Sequence, residues 1–191
     1  MANKTTDVFI CGVGGQGILL ASEILADMAL AKGLDVKKSE VHGMAQRGGS
    51  VVSHVRYGEA VYSPVIAEGE ADVLASFEKM EALRWIQFVK PGGKIIVNSQ
   101  EIVPSGMDTY PPTVARKIKE RIPDAMFVDA LSLAREAGHL RAVNIVMLGA
   151  FSTFLEYTED EWKAAIEARV PKKTIETNLK AFELGRAAVS G

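Results

Sequence analysis

Apolar positions follow two different periods along this chain, and the switches between them mark out its elements. Residues 7–11, Asp-Val-Phe-Ile-Cys, form a short apolar run of the kind carried by interior strands that helices cover on both faces. Helical spacing follows, with Ile18, Leu19, Ile24, Leu25 and Met28 recurring and Gly33 placed to end the segment. "DVKKSEV" (35–41) predicts a second strand, "HGMAQRGGS" (42–50) a polar, glycine-rich loop, and "VVSHVRYG" (51–58) a half-buried strand. Gly58 and Glu59 then predict a hairpin turn into "AVYSPVI" (60–66).

The second half keeps an alternating strand and helix rhythm. Strands are predicted at "ADVLASF" (71–77), "KIIVNS" (94–99) and "AMFVDA" (125–130), with a helix over "EKMEALRWIQFV" (78–89) stopped by "KPGG". "ARKIKERI" (115–122) reads as a helix whose charges are solvated while Ala115, Ile118 and Ile122 point inward. "LSLAREAG" (131–138) is a further helix, and "AVNIVMLGAFSTFL" (142–155) a buried one. That last segment falls short of the ~20 residues a membrane span needs, and Asn144 interrupts it, a residue read as satisfying buried backbone groups. Thr158 and Glu161 have capping-box spacing before "WKAAIEARV", and Pro171 fits the first turn of a last helix over 172–189. The predicted fold is α/β: a three-layer α/β/α domain over residues 1–191, with a mixed, mostly parallel sheet and closing helices at about 158–187.

Composition changes this picture only by exclusion. With 48% hydrophobic and 24% charged residues the chain has the make-up of an ordinary globular protein. A net charge of −2 with both signs dispersed argues against a nucleic-acid surface, which needs clustered Lys and Arg. Cys11 is the one cysteine, so no disulfide framework exists; together with a polar start, this predicts a cytoplasmic protein without membrane attachment.

Chemistry concentrates in two glycine-rich loops. Gly12, Gly14 and Gly17, with Gly15 and Gln16 between them, have the dinucleotide-fingerprint spacing between a strand and a helix, and Glu40 follows at about the distance of a ribose-binding acid. The continuation does not fit NAD. "VKKSEV" is too polar for a strand covered on both faces, and the nine residues after it cannot form the second crossover helix, so the start is Rossmann-like but incomplete. Glycines that only let the first helix pack closely on the sheet are the simpler alternative. The second loop sets His42, Gln46 and Arg47 beside Gly43, Gly48 and Gly49, a mixture that presents several donors on a permissive backbone. If the first two strands are neighbours, both loops lie at one sheet edge and form an anion site or a docking surface.

"GVGGQGILLASEILADMALAKG" (12–33) followed by "VHGMAQRGGSVVSHVRYG" (41–58) resembles the gamma-type domain of 2-oxoacid:ferredoxin oxidoreductases. The second loop is most similar to the small (beta) subunits of the family's indolepyruvate branch. The likeness continues through 71–98, 141–151 and 170–185, so it spans about residues 7–187. It implies oxidation of an aryl 2-oxoacid with coenzyme A and ferredoxin to acyl-CoA, carbon dioxide and reduced ferredoxin. Pyruvate, 2-oxoglutarate and branched-chain 2-oxoacid complexes are the close alternatives, and an NAD(P)-binding protein a more distant one.

Such chemistry calls on thiamine diphosphate and iron–sulfur clusters. One cysteine cannot ligate a [4Fe–4S] cluster, and neither a Gly-Asp-Gly thiamine diphosphate–magnesium segment, a metal-ligand cluster nor a catalytic triad is visible. The resemblance therefore implies that thiamine diphosphate, Mg and [4Fe–4S] sit on a large partner subunit, with coenzyme A as co-substrate and ferredoxin reached through the complex. No catalytic residue is expected on this chain. The expected site residues are Gly12, Gly14, Gly15, Gln16, Gly17, His42, Gln46, Arg47, Gly48 and Gly49, with Arg47 pairing a phosphate or carboxylate. Without its partner the chain would expose apolar surface, and a homodimer is expected in isolation.

Overall fold

A computed structural model describes residues 5–43, 49–104 and 106–189. Six strands form one sheet: β1 (Thr5–Val13), β2 (Asp35–His42), β3 (Ser50–Gly58), β4 (Ala71–Ser76), β5 (Val89–Asn98) and β6 (Met126–Val128). Their spatial order is β2-β3-β1-β4-β5-β6. β1, β4, β5 and β6 pair in parallel, whereas β3 is antiparallel to both β1 and β2, so the sheet is mixed and mostly parallel as expected.

The first two strands are not neighbours. β3 lies between β1 and β2, pairing Val13 with Ser50 on one side and His42 with Val51 on the other. The reason is compositional. β3 is almost wholly buried and can sit inside a sheet, while the polar β2 is partly exposed throughout and belongs at the edge. The predicted hairpin strand at 60–66 is corrected for a related reason, since β1 and β2 already occupy both edges of β3. Residues 59–70 instead form an irregular strap. It is held by Val61 N–H donating to Asp35 Oδ2 (2.8 Å), Ile66 N–H donating to His54 Nδ1 (3.1 Å) and Arg56 donating to the Val65 carbonyl (2.9 Å).

Alternation along the strands assigns the helices to two layers. Val8 and Ile10 of β1, Val73 and Ala75 of β4, and Ile96 of β5 face one cluster. It is covered by α1 (Ile18–Ala31), α4 (Ala130–Ala137), α5 (Val143–Ser152), α6 (Glu159–Arg169) and α7 (Ile175–Ala187). Phe9, Cys11, Leu74, Ile95 and Val97 face the other, under α2 (Lys79–Trp85), α3 (Val114–Arg121) and Ile66 of the strap. The Thr158–Glu161 capping box is present, and Gly33 closes α1 at φ 75°. The helix expected over 78–89 is shorter: α2 ends at Trp85, a 3-10 turn covers Ile86–Phe88, and "KPGG" belongs to β5. No helix among the described residues is long and apolar enough to cross a membrane.

Two contacts set the core's tolerance. α5 is buried from Asn144 to Ser152 and crosses α7 with backbones touching. A Cβ on Gly149 would lie 2.1 Å from the Phe182 carbonyl oxygen, and one on Gly185 2.0 Å from that of Val146. At the far end of β1, Arg56 donates to both carboxylate oxygens of Asp7 (2.9 and 2.8 Å) in a bidentate pair whose side chains are mostly buried. Gly149→Ala is expected to destabilise the protein by about 3 kcal/mol through forced separation of the helices, measured as a lowered urea midpoint.

His54 gives the strap a pH dependence. It is 6% exposed, ringed by Phe9 and Phe88 at centroid distances of 4.7 and 6.0 Å. Burial, aided by the Arg56 charge, holds its pKa below the usual 6.5. The unfolded chain therefore binds the proton first, so His54 contributes stability above 6.5 that is lost as pH falls toward the folded value. In His54→Gln, which keeps an acceptor for Ile66 without titrating, urea unfolding between about pH 7.5 and 5 should show a flatter decline than in the native protein.

Candidate functional site

β1 ends at the carboxyl edge of the sheet, where the chain turns through Gly14–Gly17 into α1. Gly17 adopts φ 79° as the residue that begins α1, and a Cβ there would collide with the Asn144 side chain at 2.6 Å. Glycine is thus required twice over at this position, by the backbone angle and by the neighbour.

Gln16 braces the turn from within. Its Oε1 accepts from Val13 N–H (2.7 Å), and its Nε2 donates to the Phe77 carbonyl (2.8 Å) and to Gln100 Oε1 (3.0 Å). Asn98 Nδ2 donates to the same Phe77 carbonyl (3.1 Å), while its Oδ1 accepts from Ala130 N–H (3.3 Å). The ends of β1, β4 and β5 are therefore tied together, and both donors of the Gln16 amide are committed to the fold.

Buried carboxylates underlie this floor. Glu78 is 1% exposed and caps α2, accepting from Met80 N–H (2.6 Å), Glu81 N–H (3.0 Å), Ile102 N–H (3.3 Å) and Tyr110 O–H (2.7 Å). Glu81 accepts from the Ser50 hydroxyl, Arg84 Nε (3.0 Å) and Trp85 Nε1 (3.2 Å), anchoring the first residue of β3. Burial pushes the Cys11 thiol far up, which keeps this cysteine protonated and unreactive.

The two glycine loops meet at the ends of β1 and β3, not through adjacency of β1 and β2. Gly14 N–H donates to the Gly49 carbonyl (2.9 Å), and Gly43 N–H to the Ser50 carbonyl (2.7 Å). Gly12, paired with Val51, lies just before the turn. His42 stands half-exposed at the end of β2, with its Nε2 3.8 Å from Glu40 Oε2. Gln46, Arg47 and Gly48 lie outside the described residues.

A cleft flanks each side of the turn. One, about 310 Å³, is bounded by Gly14, Gly15, Ile18, Leu19, His42 and Val51. The other, about 340 Å³, is bounded by Gly15, Gly17, Gln100, Leu131, Arg141 and Asn144, among others. A larger hollow of about 550 Å³ lies at the opposite end of the sheet, between Tyr57, Phe154 and Tyr157. It is remote from both loops, and its Lys32 is engaged by Glu161 at 3.0 Å and by the Tyr157 ring.

Asn144 departs from its expected role: among the described residues its amide bonds no buried backbone group and instead borders the cleft against Gly17. Gln100 and Arg141 went unnoticed in the sequence because no motif connects them to the glycine turn. Nor does NAD find its geometry. β3 occupies the place of the missing crossover, and Glu40 is paired with Lys38 at 2.6 Å.

Comparison with known proteins decides the family. The model of the pyruvate ferredoxin/flavodoxin oxidoreductase family matches residues 7–188. This chain belongs to that family. The indolepyruvate oxidoreductase subunit IorB of Thermococcus kodakarensis is 44% identical over 95% of both chains, and that of Pyrococcus horikoshii 41% over the same shares. The 2-oxoglutarate synthase subunit KorC of Methanothermobacter thermautotrophicus is 30% identical, over 99% of this chain and 97% of its own.

Among solved structures, the gamma subunit of a keto/oxoacid ferredoxin oxidoreductase from Geobacter sulfurreducens shares the fold. Its TM-score is 0.72 at 24% identity, covering 97% of this chain and 98% of that one. A 2-oxoglutarate:ferredoxin oxidoreductase from Magnetococcus marinus, with 2-oxoglutarate, coenzyme A and succinyl-CoA bound, matches with a TM-score of 0.74 at 23% identity. It covers 98% of this chain but 31% of that one. The protein is thus a member of an oxidoreductase family built from several subunits or domains.

The brace is open to a direct test. Gln16→Ala removes three hydrogen bonds across the strand ends and should cost about 1–3 kcal/mol. Hydrogen exchange should accelerate at Gly14–Leu19 and stay unchanged in α7; unaltered exchange at the turn would show that the brace does not hold it.

Proposed function

We propose that this chain is the small subunit of a complex that oxidises an aryl 2-oxoacid, indole-3-pyruvate foremost. The 44% identity to an indolepyruvate oxidoreductase subunit across 95% of both chains carries this reading. The balanced reaction takes one 2-oxoacid, one coenzyme A and two oxidised ferredoxins to one acyl-CoA, one carbon dioxide, two reduced ferredoxins and one proton. The carbon–carbon bond to the carboxylate breaks, a thioester bond forms, and two electrons leave singly.

Thiamine diphosphate with Mg would supply an electron sink for the decarboxylation, and [4Fe–4S] clusters would supply one-electron transfer. A cluster wants four thiolates, while this chain has Cys11 alone, held as a buried thiol. Those cofactors belong on a large partner subunit in this reading, and the present chain supplies one wall of the active site. Support comes from the carboxyl edge of the sheet. Exposed Val41, Leu131 and Leu140 lie around the glycine loops and suit burial against a partner. The turn at Gly12–Gly17 and the loop from His42 to Gly49 would face that partner. There, Arg47 would pair with a phosphate of coenzyme A or the oxoacid carboxylate, with His42 and Gln46 adding hydrogen bonds.

Anaerobic purification of the tagged chain from its native cells tests the assignment. A large subunit bearing iron and thiamine should accompany it, with coenzyme A-dependent dye reduction fastest on indolepyruvate. Preference for pyruvate, 2-oxoglutarate or a branched 2-oxoacid would move the chain to another branch of the family, and a chain that never acquires such a partner would sink the reading. In the intact complex, Arg47→Ala should raise the KM for coenzyme A or for the oxoacid about tenfold. Unchanged KM values for both would remove Arg47 from the site.

A further inference from the structure

β2 leaves the sheet with an open edge. β3 pairs with it on one side, and among the described residues no strand pairs with it on the other. The antiparallel register, with Gly43 N–H donating to the Ser50 carbonyl, turns the peptide groups of the odd-numbered residues toward β3. Those of Val36, Lys38, Glu40 and His42 therefore point outward, where a further strand could bond them.

The side chains of these four residues share one face of the sheet, the face on which Val36 packs against the α1 cluster. There Lys38 Nζ lies 2.6 Å from Glu40 Oε1, each side chain 26% exposed. Glu40 Oε1 is nevertheless closed off from water without an aligned hydrogen bond, so the ion pair does not fully satisfy it. A lysine on an edge strand ordinarily discourages pairing. With a glutamate two residues on, it selects a register instead.

Symmetry identifies the strand that fits. Two copies of β2 related by a two-fold axis run antiparallel, and every outward residue must oppose an outward residue. An axis through Lys38 would set lysine against lysine, and one through Glu40 glutamate against glutamate, both repulsive. An axis nearer either end of β2 leaves outward residues unopposed. An axis through Ser39 sets Lys38 opposite Glu40 of the second copy, Glu40 opposite its Lys38, and Val36 opposite its His42. Ser39 then meets its own copy in the close, non-hydrogen-bonded pair, where a small side chain fits.

α1 favours the same contact. Leu19, Ala26 and Leu30 recur at helical spacing and share one side of the helix, away from Glu23 and Asp27, which Arg169 of α6 holds. Leu19 borders the cleft beside His42, so this apolar side lies toward β2, and Leu30 stands 57% exposed on it. We propose that the β2 edge docks a second copy of this chain, by antiparallel pairing of β2 with β2 centred on Ser39. The two sheets become one, and the apolar sides of the two α1 helices lie over the junction. The homodimer expected from the sequence thereby gains a surface and a register. The inference draws on β2 and α1 alone and stands apart from the oxoacid reading.

Charge exchange tests it. Lys38→Glu opposes carboxylates across the axis, and Glu40→Lys opposes ammonium groups. In sedimentation of the full-length chain the native protein should be a dimer, and each variant should raise the dimer Kd about tenfold or more. An equimolar mixture of the two variants should recover the dimer, because each strand then meets its opposite although the pair within each chain stays broken. Unchanged circular dichroism separates weakened pairing from unfolding. Ser39→Cys gives a second reading that decides alone if the charge variants do not fold. Mild oxidation should link two copies of this chain, free or within the native complex, while the buried Cys11 stays unreacted. A native chain that is monomeric at every concentration, variants that dimerise as the native chain does, or a Ser39→Cys link to a different protein would each overturn the proposal.

Discussion

The antiparallel seating of β3 between β1 and β2 is the constraint on which the rest of the molecule depends. It pairs Val13 with Ser50, so the end of the first strand and the start of the third meet at one point of the sheet edge. From that register follows the hydrogen bond between Gly14 and Gly49, which joins two loops that are some thirty residues apart in the chain. The same seating pushes the polar β2 to the edge and leaves residues 59–70 no edge of β3 to pair with. One register choice thus settles the topology and assembles the site.

The site itself divides into a floor that is fully hydrogen-bonded and walls that are not. Below the turn, Gln16, Asn98 and Glu78 spend their polar atoms on backbone groups and on the side chains of Gln100 and Tyr110, while Glu81 accepts from the side chains of Ser50, Arg84 and Trp85. Buried carboxylates are tolerable there because each is surrounded by donors. Above them, the start of α1 and the side chains of Asn144 and Arg141 remain open to the cleft. A fully hydrogen-bonded floor holds the groups above it in fixed positions.

α5 connects this site to the core. It is buried along nearly its whole length, pressed backbone to backbone against α7 through Gly149 and Gly185, and its first turn forms a wall of the cleft. A shift of α5 large enough to relieve a side chain at Gly149 would also move Asn144 against Gly17. Core packing and the cleft wall share one helix, so the core's lack of slack is what positions the Asn144 amide.

Much of the fold was legible locally. The 3.6-residue spacing after Gly17, the apolar run at 7–11, the Thr158 capping box and the absence of a second crossover helix all depend on neighbours in sequence, and they predicted elements that the structure contains. Gly15 and Gly17 announced the turn for the same reason, since a backbone that must reach positive φ shows itself as glycine. Tertiary structure alone decided that β3 would divide β1 from β2, that 60–66 would be a strap and not a strand, and that Gln16 would face inward. It also decided that Asn144, Gln100 and Arg141 would gather at the glycine turn. These outcomes turn on which strand edge is free and which side chains meet across long separations, and neither quantity exists until the sheet has formed.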